Sequence, residues 1–219
     1  KAKLGDASGS TRLIGLAGDA AREWLGPDAP AKPWARTELK SASVIRLPDA
    51  AGQARYLWAA PAELENASAP EQALPALPLA HWQWLEVQSG VPLIVGATVE
   101  QFVPQMVNLE AVGGVNFQKG CYPGQEIVAR SQYRGTLKRR GFLLQGDAPL
   151  TPGQEIFHSA DPGQPSGLVA NAAPNPGGGF SAFAELKIAA TQDGELRLGS
   201  AEGPTLKLLS LPYTLPTEA

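Results

Sequence analysis

Lys119-Gly120-Cys121-Tyr122-Pro123-Gly124-Gln125-Glu126 carries the only cysteine of the chain and opens onto its densest run of positive charge. Proline is tolerated in the first turn of a helix, so the run from Pro123 to about Gln132 reads as a helix with Cys121 just before its start. Unpaired N–H groups and the positive end of the helix dipole favour an anion there, and Lys119 adds a cation two residues away. Both effects lower a thiol pKa. Gly120 and Gly124 flank the sulfur without side chains, which lets a ligand or a partner's backbone approach closely. The competing reading of Cys121 is a small buried hydrophobe, the usual lot of a single cysteine.

Charge is distributed unevenly around this stretch. No Lys or Arg occurs between Arg55 and Lys119, yet Lys119, Arg130, Arg134, Lys138, Arg139 and Arg140 follow within 22 residues. Arg130 and Arg134, four apart, share a helix face on this reading and suit phosphate oxygens, the glutamate tail of a folate, or an RNA backbone. Glu126 and Arg130 are also spaced for an i,i+4 surface pair. Lys138-Arg139-Arg140 reads as a solvated basic turn.

The octapeptide, followed by Ile127-Val128-Ala129-Arg130 and Arg134-Gly135, resembles the signature of the YgfZ family, folate-binding proteins implicated in iron–sulfur cluster maintenance and tRNA modification. Phe102-Val103-Pro104-Gln105, Asn108-Leu109 and Gly113-Gly114 resemble the lead-in of the same family. That family is similar in fold to the aminomethyltransferase of the glycine cleavage system. The resemblance implies an α+β chain: a folate-binding-type domain over residues 1–141, then a small antiparallel β-barrel over 142–219. Lys1-Ala2-Lys3-Leu4 resembles the middle of the family's folate domain, so that domain is read as incomplete at its N-terminus.

The resemblance also implies roles. Cys121 and Lys119 are the reactive pair; Gln88, Gly120, Tyr122, Gly124, Gln125, Glu126, Arg130 and Arg134 are the candidate contacts to tetrahydrofolate or a derivative. In the aminomethyltransferase relatives the helix before the motif ends Leu-Arg-Leu-Glu-Ala-Gly, and its glutamate holds the pterin. Here the stretch is Leu85-Glu86-Val87-Gln88-Ser89-Gly90. An amide offers one acceptor and one donor where a carboxylate accepts twice, which weakens the expected hold on the pterin. Implied partners are iron–sulfur proteins met transiently and a folate-type small molecule, with RNA a further candidate. An aminomethyl transferase and a binding module with a structural cysteine stand as the alternatives, and whether a reaction is turned over is left open.

Composition is consistent with a globular protein: 219 residues, 43% hydrophobic, 18% charged, formal net charge −3. That charge argues against a general nucleic-acid binder. One cysteine precludes an internal disulfide, and no apolar run reaches membrane-spanning length, so the default expectation is a cytoplasmic protein. Two histidines and a cysteine far apart make no chelating pattern, so no metal site is expected.

Local patterns supply the elements. Thr11 to Leu16 reads as a strand and Ala20 to Leu25 as a helix stopped at Gly26-Pro27. Val44 to Leu47 and Arg55 to Ala60 form a hairpin about Asp49-Ala50-Ala51-Gly52. Pro61 to Pro78 reads as a short helix and a surface connection. Leu79 to Ser89 is a helix with Leu79, Trp82, Leu85 and Val87 largely on one side, and Trp82 and Trp84 are packing residues or a pterin wall. From Phe142, six short apolar runs separated by Gly-, Pro- and Asp-rich turns make the barrel.

Overall fold

The structure is a computed structural model that describes residues 2–39, 41–64, 69–133 and 137–216, with backbone alone at 132 and 133. Its contacts divide the chain into two units, Lys1–Pro78 and Leu79–Ala219.

In the first unit, strand β1 (Thr11–Ala17) leads into helix α1 (Gly18–Leu25), which stops where Gly26 takes φ +71°. Strands β2 (Arg36–Leu39), β3 (Ala42–Ala50) and β4 (Gln53–Pro61) complete an antiparallel sheet in the order β1-β4-β3-β2. The β3–β4 hairpin turns through Ala51 and Gly52, both at positive φ, the requirement of a tight two-residue connection. One sheet face supplies Leu16, Val44, Tyr56 and Trp58, which bury with Ala21 and Leu25 of α1. Between Pro61 and Pro78 the described residues contain the 3-10 turn Pro70–Gln72 in place of the expected short helix.

The second unit begins with helix α2 (Leu79–Gln88), ended by Gly90 at φ +64°. Irregular chain follows, including the 3-10 turn Pro104–Val107, and then helix α3 (Gln125–Tyr133). Strands β5 (Arg139–Gly146), β6 (Glu155–His158), β7 (Gly167–Pro174), β8 (Phe180–Lys187), β9 (Leu196–Leu198) and β10 (Thr205–Leu209) close into an antiparallel barrel, order β10-β5-β8-β7-β6-β9. Each of the six apolar runs expected from Phe142 onward is one of these strands. Gly141, where the sequence changes character, lies within β5.

Alternation along the strands builds two cores from one sheet. Leu144, Ile156, Val169, Ala182, Ala184 and Leu186 fill the barrel. Leu143, Ala170, Ala173 and Phe183 point the other way and bury with Val87 of α2 and Val107 of the 3-10 turn. Strand β8 is therefore buried on both faces over Ser181–Leu186. Trp84 joins the outer core and donates its indole N–H to Ser181 Oγ at 3.2 Å, so it is a packing residue. Leu79, at the open end of α2, is 70% exposed and departs from the expected apolar face.

Candidate functional site

The octapeptide does not begin a helix at Pro123. Tyr122, Pro123, Gly124 and Gln125 form a reverse turn, closed by the Gln125 N–H donating to the Tyr122 carbonyl at 3.2 Å. Gly124 sits at φ +79°, so the residues fit a type II turn with Pro and Gly at its centre. Helix α3 starts only at Gln125, whose side-chain Oε1 accepts the Tyr122 N–H at 3.3 Å. The helix terminus expected beside the sulfur is thus two residues further on. The Pro-Gly dipeptide was the available signal, since it marks turns more strongly than helix starts.

Cys121 itself is exposed. Open space surrounds Gly120 and Gly124: a Cβ at either would meet no atom within 4 Å. Lys119 is exposed, and its ammonium lies 4.6 Å from the centre of the Tyr122 ring, a cation–π contact. Glu126, Ile127 and Arg130 point outward along α3, and Val128 is the buried contact of that helix. Among the described residues Glu126 and Arg130 form no ion pair. Arg134 lies outside the described residues. Gln88 is half-buried at the last position of α2.

A buried polar node, to which the sequence reading gave no role, anchors α3, the helix that follows the motif. Gln105, with 0% exposure, donates its side-chain amide to the Val128 carbonyl of α3 at 2.8 Å. Its own backbone carbonyl accepts from the Arg140 guanidinium at 3.2 Å. Arg140 also pairs with Glu110, each side chain about 95% buried. Asn108, held at φ +58°, donates to the Gly141 carbonyl at 2.8 Å and accepts the Gly141 N–H at 3.0 Å. Its amide also reaches the Tyr213 hydroxyl at 3.2 Å, which in turn donates to the Gly90 carbonyl at 2.7 Å. Burial pushes the Tyr213 phenol up to about 12, opposed by the Asn108 hydrogen bond, raised further by the Glu110 charge and eased by Arg140.

Two of the expected solvated cations belong to this interior. Arg140 is buried against Glu110, and Arg139 donates to both oxygens of Glu185 at 2.7 and 2.8 Å. Burial raises the Glu185 carboxyl above its ordinary value, with the Arg139 hydrogen bond and charge pulling the other way. Lys138-Arg139-Arg140 is therefore not a basic turn: its last two residues open β5 and face buried acids.

A cleft of about 830 Å³ lies beside the start of β5 and the end of β8, and a second of about 310 Å³ lies in the first unit between β1, α1 and Leu74 to Leu77. Neither is lined by Cys121 or Gln88. Among the described residues no group of His, Cys, Asp and Glu could hold a metal ion, and no helix is long and apolar enough to cross a membrane.

No family model matches the chain. It is 38% identical over 209 residues to the tRNA-modifying protein YgfZ of Edwardsiella ictaluri, an alignment covering 92% of this chain and 63% of the relative. The chain thus spans a little under two thirds of that relative's length. Its fold is similar to that of the glycine cleavage system aminomethyltransferase T from Bartonella henselae, with a TM-score of 0.59 at 19% identity, covering 92% of this chain and 60% of that one. Over the stretch shared with its relative, the chain belongs to the YgfZ family and carries the α+β, barrel-containing fold of the aminomethyltransferases.

Proposed function

We propose that this protein is an accessory factor for the assembly or repair of iron–sulfur enzymes, tRNA-modifying ones among them, and that Cys121 is the group through which it acts. The observation that carries the reading is the exposure of the thiol on a glycine-flanked loop. A single thiolate in the open is suited to a transient bond with a partner, as one ligand to a cluster whose other ligands the partner supplies. On this reading 1–141 is the back portion of a folate-binding-type domain, 142–219 is the barrel, and the protein works in the cytoplasm.

Tetrahydrofolate or a derivative is the proposed small-molecule ligand, engaged by Gln88 and the motif residues Gly120, Tyr122, Gly124, Gln125, Glu126, Arg130 and Arg134. The fit to the pterin is poorer than a carboxylate would give, because the Gln88 amide accepts one hydrogen bond from the amino-pyrimidine edge and must donate the other. The same substitution, together with the thiol, weighs against an aminomethyl transferase, whose chemistry needs a carboxylate and the pterin but no thiol of the protein.

The test is complementation of cells that lack their own protein of this kind, with the wild-type protein and with Cys121→Ser and Cys121→Ala. Iron–sulfur-dependent tRNA modification should be restored by the wild type and by neither variant, at equal protein levels. Restoration by both variants would remove the thiol from the mechanism.

A further inference from the structure

The cleft at the β5–β8 end of the barrel has an unusual lining for a chain of net charge −3. Lys138, Arg139, Arg140 and Lys187 all contribute to it, and among the described residues no Asp or Glu does. Its apolar wall is made by Phe142, Ile188 and Leu215. The Ile188 N–H donates to the Lys138 carbonyl at 2.9 Å, so the two sides of the wall are joined by backbone. We propose that this cleft is a binding site for an organic anion with an apolar body, its carboxylate or phosphate held between Lys138 and Lys187.

The four cations are not equivalent, and the difference selects those two lysines. Arg139 and Arg140 are already matched by Glu185 and Glu110 behind the wall. Lys187 reaches Asp161 at 3.3 Å, but that carboxylate is 43% exposed and also accepts from Gln164 at 2.6 Å. Such a half-exposed pair is weak and exchangeable. Lys138 is exposed and forms no ion pair among the described residues. An ammonium is a point charge with rotatable donors, suited to an anion without a fixed planar geometry. A volume of about 830 Å³ accommodates a body of drug-like size, and ligand sites are characteristically apolar cavities with a few convergent polar groups.

The probes are 8-anilinonaphthalene-1-sulfonate and its uncharged counterpart N-phenyl-1-naphthylamine, titrated by fluorescence into the 219-residue chain. The anionic dye should occupy one saturable site and bind roughly fivefold more weakly to Lys138→Met/Lys187→Met, each lost exposed contact being worth a fraction of a kcal/mol. The uncharged dye should bind that variant as it binds the wild type, and Lys32→Met, at an exposed cation of the first unit, should change neither. Ala189→Trp, which fills the cleft from an exposed position in its lining, should abolish both signals. Displacement by octanoate against octyl phosphate then tells the carboxylate from the phosphate. Unchanged binding of the anionic dye to the double variant, or of both dyes to Ala189→Trp, in proteins with a wild-type urea midpoint, overturns the assignment.

Discussion

The side-chain amide of Asn108 pairs with the backbone of Gly141 as a neighbouring strand would, giving one hydrogen bond and taking one. Strand β5 is thereby extended sideways by a single residue. A Cβ on Gly141 would come within 2.2 Å of Phe183 and 3.0 Å of the Asn108 amide, so glycine is required for this approach. Asn108→Ala leaves two buried backbone groups unpaired and should cost about 2–4 kcal/mol. The check is the urea midpoint at unchanged slope, and a shift below 1 kcal/mol would mean that water replaces the amide.

Tyr213 yields a pH signature. Its folded-state value of about 12 lies above the ordinary 10, so the stability it contributes is complete below pH 10 and is lost as pH rises through about 12. Tyr213→Phe should lower stability at neutral pH by about 1–3 kcal/mol, through loss of the hydrogen bond to Gly90. The gap between the two proteins should then narrow above pH 10. A constant gap up to pH 12 would show that the phenol does not ionise differently on folding.

Arg140 and Glu110 form the buried ion pair of the node. Arg140→Met alone strands a buried carboxylate and should cost about 3–5 kcal/mol, whereas Arg140→Met with Glu110→Leu should cost less than either single change. A double-mutant cycle measured by denaturant unfolding gives the coupling directly. Additive costs would show that the pair is relaxed into solvent.

Much of this fold was legible in the sequence. The six barrel strands announce themselves as short apolar runs between Gly-, Pro- and Asp-rich turns, and α1, α2 and the β3–β4 hairpin carry their own stop signals. Strand β2 carries no such mark, because Arg36-Thr37-Glu38-Leu39 is a polar edge strand whose pattern resembles a loop. Arg139 and Arg140 look solvated in the sequence for a different reason: their acids, Glu185 and Glu110, lie 46 and 30 residues away. Local composition cannot show such pairing. At the site, the exposed thiol and open glycines agree with the sequence reading, while Gln105 and Tyr213 act through long-range contacts that leave no periodic trace.

Exposure of Cys121 predicts complete modification by iodoacetamide in native buffer. The rate should be the same in urea concentrations below the unfolding transition, since no opening is needed. A rate that climbs with urea in that range would place the sulfur behind a barrier.

Gln88 sets the expectation for folate. Tetrahydrofolate should bind weakly in calorimetry, and Gln88→Glu should tighten it by about 1–3 kcal/mol if a charge-assisted hydrogen bond to the pterin is gained. Micromolar or tighter binding by the wild type, with no gain in the variant, would take Gln88 out of the site.

The node around Asn108 also bears on how the protein is made. Tyr213 follows its partners Gly90 and Asn108 by 123 and 105 residues. On a ribosome the helix bearing Gln88 and the loop bearing Cys121 emerge long before the residue that ties their supports together. Every barrel strand is synthesised in between. The nascent chain therefore passes through a period in which its thiol is already outside the exit tunnel while the scaffold beneath it is still unfastened, and closure of the barrel and locking of the motif become late, nearly simultaneous events.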